Sequence, residues 1–160
     1  MSNKIVVRDY RPTDLIAMFR LDEACFAEEF RFDLESMREF AEEPNVIVRI
    51  AENGCGGIAG FVVAHVERIA SELQAYLVTL DVAREYRRRG VAKRLMSEAE
   101  SQAAKAGVRW IQLHVFTGNE AAIHLYEKLG YRRVKIHRGY YGRAGLDAIV
   151  YSKELAYPDA

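Results

Sequence analysis

The residues that could carry out chemistry are concentrated around one glycine, in the stretch EYRRRGVAKRL at residues 85–95. Five of these eleven residues are cations, although the whole chain balances 23 Lys plus Arg against 23 Asp plus Glu. Gly90 follows a β-rich run and precedes an apolar stripe at helical spacing, so it lies between a strand and a helix. The unpaired N–H groups of a helix start attract anions, and a residue without Cβ lets a phosphate approach the backbone. Because Arg87, Arg88 and Arg89 add charge-assisted donors, the stretch predicts a phosphate cradle.

The arginine run could instead belong to a nucleic-acid-binding patch or to a solvated helix end. A dedicated nucleic-acid-binding protein is usually basic, whereas this chain is neutral and its arginine run has no interleaved aromatic residues. Two familiar phosphate loops are excluded, because a P-loop would need Gly-Lys-Ser/Thr and a Rossmann loop would need further glycines at fixed spacing. A solvated helix end stays open as the simple alternative. The favoured partner is therefore a small phosphate-bearing molecule, and no nucleic acid is expected.

A second set of chemistry-bearing residues lies on neighbouring elements. Tyr126 falls in the helical stretch NEAAIHLYEKLGY, which Asn119 can cap. His114 lies in the strand VRWIQLHVF and Tyr76 in the strand ELQAYLVTLDV. A histidine titrates near pH 6.5 and can serve as a general base, and a phenol can orient a water. Packing roles explain Tyr76 and His114 at least as well, so the residues alone leave their functions open.

Two motifs resemble those of one enzyme family. The segment RRRGVA resembles the Arg/Gln-x-x-Gly-x-Gly/Ala signature of the GCN5-related N-acetyltransferases (GNAT), and NEAAIHLYEKLGY is similar to the family's second signature. The two stand in the family's order, with a helix and a strand between them, and the resemblance covers nearly the whole chain. It implies an enzyme that uses acetyl-CoA as co-substrate, needs no metal and acetylates a primary amine.

The resemblance narrows to the Nα-acetyltransferases. The segments YLVTLDVAREYRRRG, LHVFTGNEAAIHLYEKLGY and GYYGRAGLDAIVYSKEL resemble bacterial RimI-type enzymes and the catalytic subunits of eukaryotic and archaeal complexes. This implies a protein or peptide N-terminus as acceptor, with the ribosome or a ribosomal protein as a candidate partner. RimI-type enzymes usually carry a glutamate as general base where this chain has His114. His114 with Tyr76 is instead similar to the base pair of one eukaryotic branch, which leaves the acceptor sequence open.

Other functions remain alternatives. The acceptor could be a small-molecule amine or a lysine side chain, and a non-enzymatic protein could use the same fold as a coenzyme-A-binding sensor or interaction module. The Tyr-Tyr and Asp-Ala ending favours a peptide N-terminus, because small amines offer no backbone to bind. The retained Tyr126 argues against a non-enzymatic role.

The resemblance also implies roles for individual residues. Tyr126 would be the general acid for the departing thiolate, and His114 with Tyr76 would act on the acceptor amine. The coenzyme-binding residues would be Leu80, Asp81, Val82, Arg87, Arg88, Arg89, Gly90, Val91, Ala92, Lys93, Asn119 and Tyr126. The first three would act through their backbone rather than their side chains. The acceptor-binding residues would be Phe30, Tyr140 and Tyr141, the tyrosines at the start of a loop.

These residues must be positioned by the elements between them. The patterns predict a strand, two helices, three strands, a helix, a strand, a helix and two strands. The strand–helix–strand unit over 75–116 requires a parallel pair with a crossover, and the turn GCGG indicates an antiparallel hairpin. We therefore predict an α/β (α+β mixed) fold with one domain at 1–156 and a short tail at 157–160. The resemblance makes it a GNAT fold, with a mostly antiparallel seven-stranded sheet and about four helices on both faces.

The hydropathy of the chain and its two cysteines indicate the cellular compartment in which the protein works. The N-terminal residues contain no apolar signal core, and no apolar run is long enough to span a bilayer. Cys25 and Cys55 need not pair, and no Cys/His spacing suggests zinc. We therefore expect a cytoplasmic protein with no membrane partner and no metal, and the oligomeric state stays open.

Overall fold

The computed structural model describes residues 4–142 and 145–155. The elements, in chain order, are β1 (Val6–Asp9), α1 (Leu15–Cys25), α2 (Leu34–Glu42), β2 (Val46–Glu52), β3 (Ile58–Ile69), β4 (Glu72–Val82), α3 (Val91–Lys105), β5 (Val108–Phe116), α4 (Glu120–Lys128), β6 (Arg132–Tyr141) and β7 (Leu146–Glu154). Short 3₁₀ turns add Pro12–Asp14, Glu28–Phe30 and Arg84–Tyr86. The predicted order of strands and helices is confirmed.

The strands form one sheet in the order β1-β2-β3-β4-β5-β7-β6. Within the described chain, neighbouring strands run antiparallel except β4 and β5, which are parallel because α3 connects them as a crossover. The turn after β2 closes the expected hairpin with β3. The prediction of a mixed, mostly antiparallel seven-stranded sheet is therefore confirmed.

Both faces of the sheet are covered by helices, because its central strands are apolar on both sides. On one face, α1 and α2 bury Met18 and Met37 against Phe61 of β3. On the other face, α3 buries Leu95 in the cluster that also contains Tyr126 of α4. Burial of apolar surface on this scale stabilises the domain and holds the helix that follows Gly90 in place.

The two parallel strands separate half-way along their length. Their ladder runs from Leu73 paired with Val108 to Tyr76 paired with Gln112, and no further pairs join them in the described residues. Beyond that point β4 continues to Val82, held on its other edge by β3. The separation leaves peptide groups of β4 without a partner strand, at the place where the chemistry-bearing residues meet.

The end of β6 differs from the prediction. Tyr140 and Tyr141 are the last residues of this strand, whereas the sequence placed them in a loop. The register of β6 against β7 shifts between His137 and Tyr141, where Gly139 has a φ of +63° that a glycine adopts without strain. The bulge lets the strand continue through the tyrosine pair. Residues 156–160 lie outside the described residues, so the domain end at 156 and the tail at 157–160 stay predictions.

Candidate active site

A cleft of about 960 Å³ opens where β4 and β5 separate. The segment between α1 and α2 forms one wall, the end of β6 forms the other, and β4, β5 and α4 contribute the surface between them. Its lining includes residues predicted from distant segments, namely Phe30, Tyr76, Leu80, His114, Asn119, Tyr126, Tyr140 and Tyr141. The fold therefore brings together the predicted catalytic and acceptor-binding residues.

The predicted phosphate cradle lies outside this lining, at the start of α3. Gly90 is the N-cap of α3 with a φ of +77°, and a Cβ built there meets no atom of the described residues within 4 Å. The N–H groups of Val91, Ala92 and Lys93 occupy the first helical turn, which provides no carbonyl for them. An exposed, open helix start of this kind fits a phosphate group.

The three arginines differ in their surroundings, although all are exposed. The Arg87 Nε donates to the Val82 carbonyl over 3.0 Å, and the Arg89 guanidinium lies 5.6 Å from the centre of the Tyr86 ring. Arg88 has a φ of +62°, a conformation that is uncommon outside glycine. Arg87 is therefore tied to the end of β4, and the arginines are not interchangeable.

The predicted coenzyme strand carries a side chain of unexpected character. Asp81 is 1% exposed and lies beside Asp22 of α1, which is fully buried. The Thr79 hydroxyl donates to Asp81 Oδ1, and the Phe32 N–H donates to Asp22 Oδ2 over 2.9 Å. In the described residues, only Asp22 Oδ1 and Asp81 Oδ2 are buried side-chain polar atoms without a hydrogen-bond partner.

The next residue of the strand, Val82, has a carbonyl that already accepts from Arg87 and from the Cys25 thiol, so a coenzyme contact at Val82 would use its N–H.

One shared proton satisfies both unpartnered carboxyl oxygens. Burial, and then the Asp22 carboxylate, raise the pKa of Asp81 well above its ordinary value. A protonated Asp81 can donate to Asp22, which remains the ionised acceptor for the Phe32 N–H. The pair therefore connects β4 to α1 and, through Phe32, to the segment between α1 and α2 that forms one wall of the cleft. The prediction that the side chain at 81 has little chemistry overlooked this contact.

The candidate acid lies deep in the cleft. Tyr126 is 7% exposed, and its hydroxyl forms no hydrogen bond among the described residues. Burial is the largest cause that raises the pKa of Tyr126, so the phenol carries its proton at neutral pH. Asn119 caps α4 by accepting the Ala122 N–H over 3.1 Å, which leaves its amide N–H groups for a ligand.

The candidate bases form one hydrogen-bonded network. The Tyr76 hydroxyl lies 2.8 Å from His114 Nδ1 and 3.1 Å from the Tyr140 hydroxyl. The Tyr140 ring stacks on the His114 ring with centroids 4.0 Å apart and an angle of 7°. Burial raises the pKa of Tyr76, and burial followed by the charges of His137 and Lys135 lowers the pKa of His114. The network therefore holds a neutral imidazole beside a neutral phenol.

The two side walls of the cleft meet through aromatic rings. Phe30 packs edge-on against Tyr141 at 4.7 Å and lies 5.2 Å from Phe116 of β5. Burial, then Tyr140, raises the pKa of Tyr141 to about 12. These rings narrow the cleft next to the Tyr76–His114 pair. The tyrosine hydroxyl is a polar group at the edge of an apolar ring, which suits the backbone of an extended peptide.

A model of the acetyltransferase (GNAT) family matches residues 14–131. The chain belongs to this family. The NAA10 catalytic subunit of the N-terminal acetyltransferase A complex of Arabidopsis thaliana is 29% identical over 153 residues, which cover 94% of this chain and 78% of the relative. The ribosomal protein bS18-alanine N-acetyltransferase of Escherichia coli strain K12 is 28% identical over 129 residues, or 81% of this chain and 82% of the relative. The crystal structure of the NatC complex bound to Gag peptide and CoA matches with a TM-score of 0.85 and 25% identity, covering 96% of this chain and 99% of that one.

These similarities confirm the predicted family, the GNAT fold and an acetyl-CoA-dependent N-acetyltransferase. The roles assigned to single residues stay predictions. No helix in the described residues combines the length and apolar character that a membrane span requires. Within the same residues, no cluster of three or more His, Cys, Asp or Glu side chains could hold a metal ion.

Sequence reasoning missed three features of this acetyltransferase site. Asp22 lies on the buried face of α1 with Leu15 and Met18. A carboxylate at the helical spacing of these apolar residues was the signal that could have marked it as a buried acid. Glu28 and Glu29 line the wall beside Phe30; the resemblance placed this segment at the acceptor site but singled out only Phe30. His137 contacts His114 through a strand pairing that no local pattern reveals.

Proposed function

We propose that this acetyltransferase transfers the acetyl group of acetyl-CoA to the N-terminal α-amine of a protein or peptide. The observation that carries the proposal is the cleft, where a buried phenol and a neutral phenol–imidazole pair converge between two aromatic side walls. Direct transfer needs a neutral amine, a stabilised oxyanion and a protonated leaving thiolate. The cleft offers a group for each of these requirements.

The donor would lie along β4, with its phosphates at the start of α3. The separated part of β4 offers peptide groups for the pantetheine arm and the acetyl carbonyl, and Leu80 lines the cleft there. Gly90 and the first-turn N–H groups would receive the phosphates, with Arg88 and Arg89 adding charge. Asn119 would donate from its free amide group.

Tyr126 would protonate the thiolate. Its pKa is raised, so the phenol is a proton donor at neutral pH and becomes an effective one only as negative charge develops on sulfur. Its hydroxyl is uncommitted among the described residues, so it can turn toward the thioester. The proton balance closes when this proton is replaced from solvent after release of the thiol.

Tyr76 and His114 would remove the amine proton. The depressed pKa of His114 keeps the imidazole neutral, which is the state a base requires. An α-amine has a pKa of about 8, so about a tenth of it is already neutral at pH 7 and a weak base suffices. A lysine, with a pKa of about 10.4, would need far more assistance.

The aromatic walls support a peptide acceptor. Phe30 and Tyr141 flank the approach to the Tyr76–His114 pair, and Tyr140 closes it from the strand side. Such rings suit a polypeptide backbone and the first side chain of the acceptor. The E. coli relative is named for a ribosomal protein, so a ribosomal protein is one candidate acceptor for this chain. A cytoplasmic location, where such N-termini emerge, belongs to the same proposal.

A peptide panel tests the proposal directly. Purified protein is incubated with acetyl-CoA and three acceptors, namely peptides with a free N-terminus, the same peptides with a blocked N-terminus and an internal lysine, and small-molecule amines. We expect mass spectrometry to find one acetyl group on the α-amine of the free peptides. Acetylation confined to the blocked peptides or to the small amines would refute the Nα assignment.

A further inference from the structure

Both ring nitrogens of His114 have partners in the structure. Nδ1 lies 2.8 Å from the Tyr76 hydroxyl, and Nε2 lies 3.3 Å from Nδ1 of His137 on β6. An acceptor amine therefore cannot reach a free nitrogen of His114 in this arrangement. Tyr76 lines the cleft, so an amine there could pass a proton to His114 through the Tyr76 phenol.

The second histidine lies at the outer end of the network. His137 is exposed and is not part of the cleft lining, whereas His114 is half-buried between the cleft and this residue. Tyr140 contacts both rings, with centroids 4.0 Å from His114 and 4.9 Å from His137. The packed tyrosine holds the two imidazoles in fixed positions, so their nitrogens stay within reach of each other.

The distances fit a set of tautomers in which the Tyr76 hydroxyl donates to His114 Nδ1. The His114 proton then lies on Nε2, where it can be donated to His137 Nδ1. His137 then carries its own proton on Nε2, facing solvent. Among the residues that the structure describes, the charged and titratable groups that interact with His114 are Tyr76 from β4 and Lys135, His137 and Tyr140 from β6, and none of these four is an acid that is ionised at neutral pH.

We propose that His137 is the proton exit of this acetyltransferase, acting through His114 in a relay that starts at Tyr76. The relay rests on the proposed function, because it transfers the proton that the acceptor amine loses. His137 does not touch the acceptor, so it is a positioning residue that fixes the His114 tautomer and passes the proton to water.

The proton balance of the relay is complete. The amine nitrogen gives its proton to the Tyr76 oxygen while the phenol proton moves to His114 Nδ1. The Nε2 proton of His114 moves to Nδ1 of His137, and the Nε2 proton of His137 leaves to water. Exchange with solvent then restores the starting tautomers. An α-amine that arrives neutral has already lost one proton to solvent, and the relay carries out the second proton that the nitrogen loses. Solvent returns one proton to Tyr126 after the thiol leaves, so acetylation of an ammonium group releases one net proton per turnover.

The test compares His137→Gln with His124→Gln. His124 is an exposed histidine on α4 with no contact to the network, so its replacement controls for loss of a surface imidazole. We expect kcat of His137→Gln to fall by about tenfold near pH 6.5, with the peptide KM unchanged, and to recover as the pH rises toward 9. Imidazole added to the buffer should restore the rate of this variant and leave wild type and His124→Gln unaffected. Matching pH profiles for wild type and His137→Gln, with no response to imidazole, would overturn the relay.

A second measurement separates the relay from the choice of acceptor. Nitrogen-15 NMR of the histidine rings should show His114 protonated on Nε2 in wild type and a mixture of tautomers in His137→Gln. This readout needs no turnover, so it decides the relay even if the peptide panel shows that the acceptor class is wrong. An unchanged His114 tautomer in His137→Gln would count against the proposal.

Discussion

Replacement of Asp81 by asparagine should make the protein less sensitive to rising pH. The folded protein buries Asp81 against Asp22, and one proton between them satisfies both otherwise unpartnered oxygens. An asparagine at this position donates its amide N–H to Asp22 and accepts from the Thr79 hydroxyl, so it reproduces the contacts without a proton. The variant should therefore fold with the same geometry and lose only the proton linkage.

The size of the effect follows from proton counting. In the unfolded chain an aspartate has a pKa of about 3.9, so above pH 5 it is ionised and must take up a proton when it folds. The folded-state pKa of Asp81 is raised, so its contribution to stability is full at acid pH and is lost as the pH rises toward that pKa. Wild type should lose about 1.4 kcal/mol of unfolding free energy relative to Asp81→Asn for each pH unit in this window.

Urea unfolding of both proteins at several pH values from about 5 to about 8 measures this difference. Contributions from titratable groups outside the Asp22–Asp81 pair are common to both chains and cancel in the comparison. Asp33→Asn is a matched control, because Asp33 is a solvent-exposed helix cap whose pKa is lowered by the Ser36 N–H and which is ionised throughout the window. A stability gap between wild type and Asp81→Asn that stays constant with pH would show that the buried pair holds no shared proton.

Three further substitutions test the ends of the site. Tyr126→Phe should lower kcat by about ten- to a thousandfold with the fold intact. The control Tyr131→Phe removes a hydroxyl that lies outside the cleft lining, so it should leave kcat near wild type. Equal rates for the two variants would make Tyr126 a packing residue. Gly90→Val should weaken coenzyme A binding measured by calorimetry, since the φ of +77° favours glycine and a valine side chain would fill the open space predicted for the phosphate. Unchanged affinity in a folded variant would refute the cradle. Phe30→Ala should raise the peptide KM by about tenfold without changing coenzyme A affinity, and an unchanged KM would remove this ring from the acceptor site.

The fold could be predicted from local signals because each element carries its own pattern. Gly90, Gly107 and Gly130 mark helix boundaries with positive φ, and the helix between β4 and β5 requires their parallel pairing. The end of β6 could not be predicted in the same way. Its course depends on a bulge at Gly139 and on pairing with β7, and a bulge is decided by the partner strand rather than by local sequence.

The site was predictable where a motif fixes a residue and unpredictable where contact arises between elements. Tyr126 and Asn119 share one helical motif, and the structure places both at the cleft. Asp22 and Asp81 are 59 positions apart, and neither shows in the sequence that the other lies beside it. His137 reaches His114 because β7 pairs with both of their strands, a relation that only the assembled sheet provides.

The protonation states of the cleft bear on the choice between an α-amine and a lysine. Tyr76, Tyr126 and Tyr141 are all neutral phenols at pH 7, and His114 is a neutral imidazole. Glu28 and Glu29 are exposed on the wall, where solvent screens their attraction for an ammonium group. The inner part of the cleft, which is lined by these neutral groups, therefore favours an amine that arrives neutral. Removing the proton at pH 7 costs about 1.4 kcal/mol for an α-amine with a pKa of about 8, and about 4.6 kcal/mol for a lysine with a pKa of about 10.4.

That difference predicts a large and pH-dependent selectivity. The neutral fractions of the two amines differ by about 230-fold at pH 7, so kcat/KM should favour a peptide α-amine over an otherwise accessible lysine by about two orders of magnitude. Competition between the two amines within one peptide, read by fragment mass spectrometry, measures the ratio under identical conditions. The preference should shrink as the pH rises above about 9, because the α-amine is then fully neutral while the neutral fraction of lysine still grows. A preference that does not change with pH would mean that the aromatic walls, and not the neutral base network, select the acceptor.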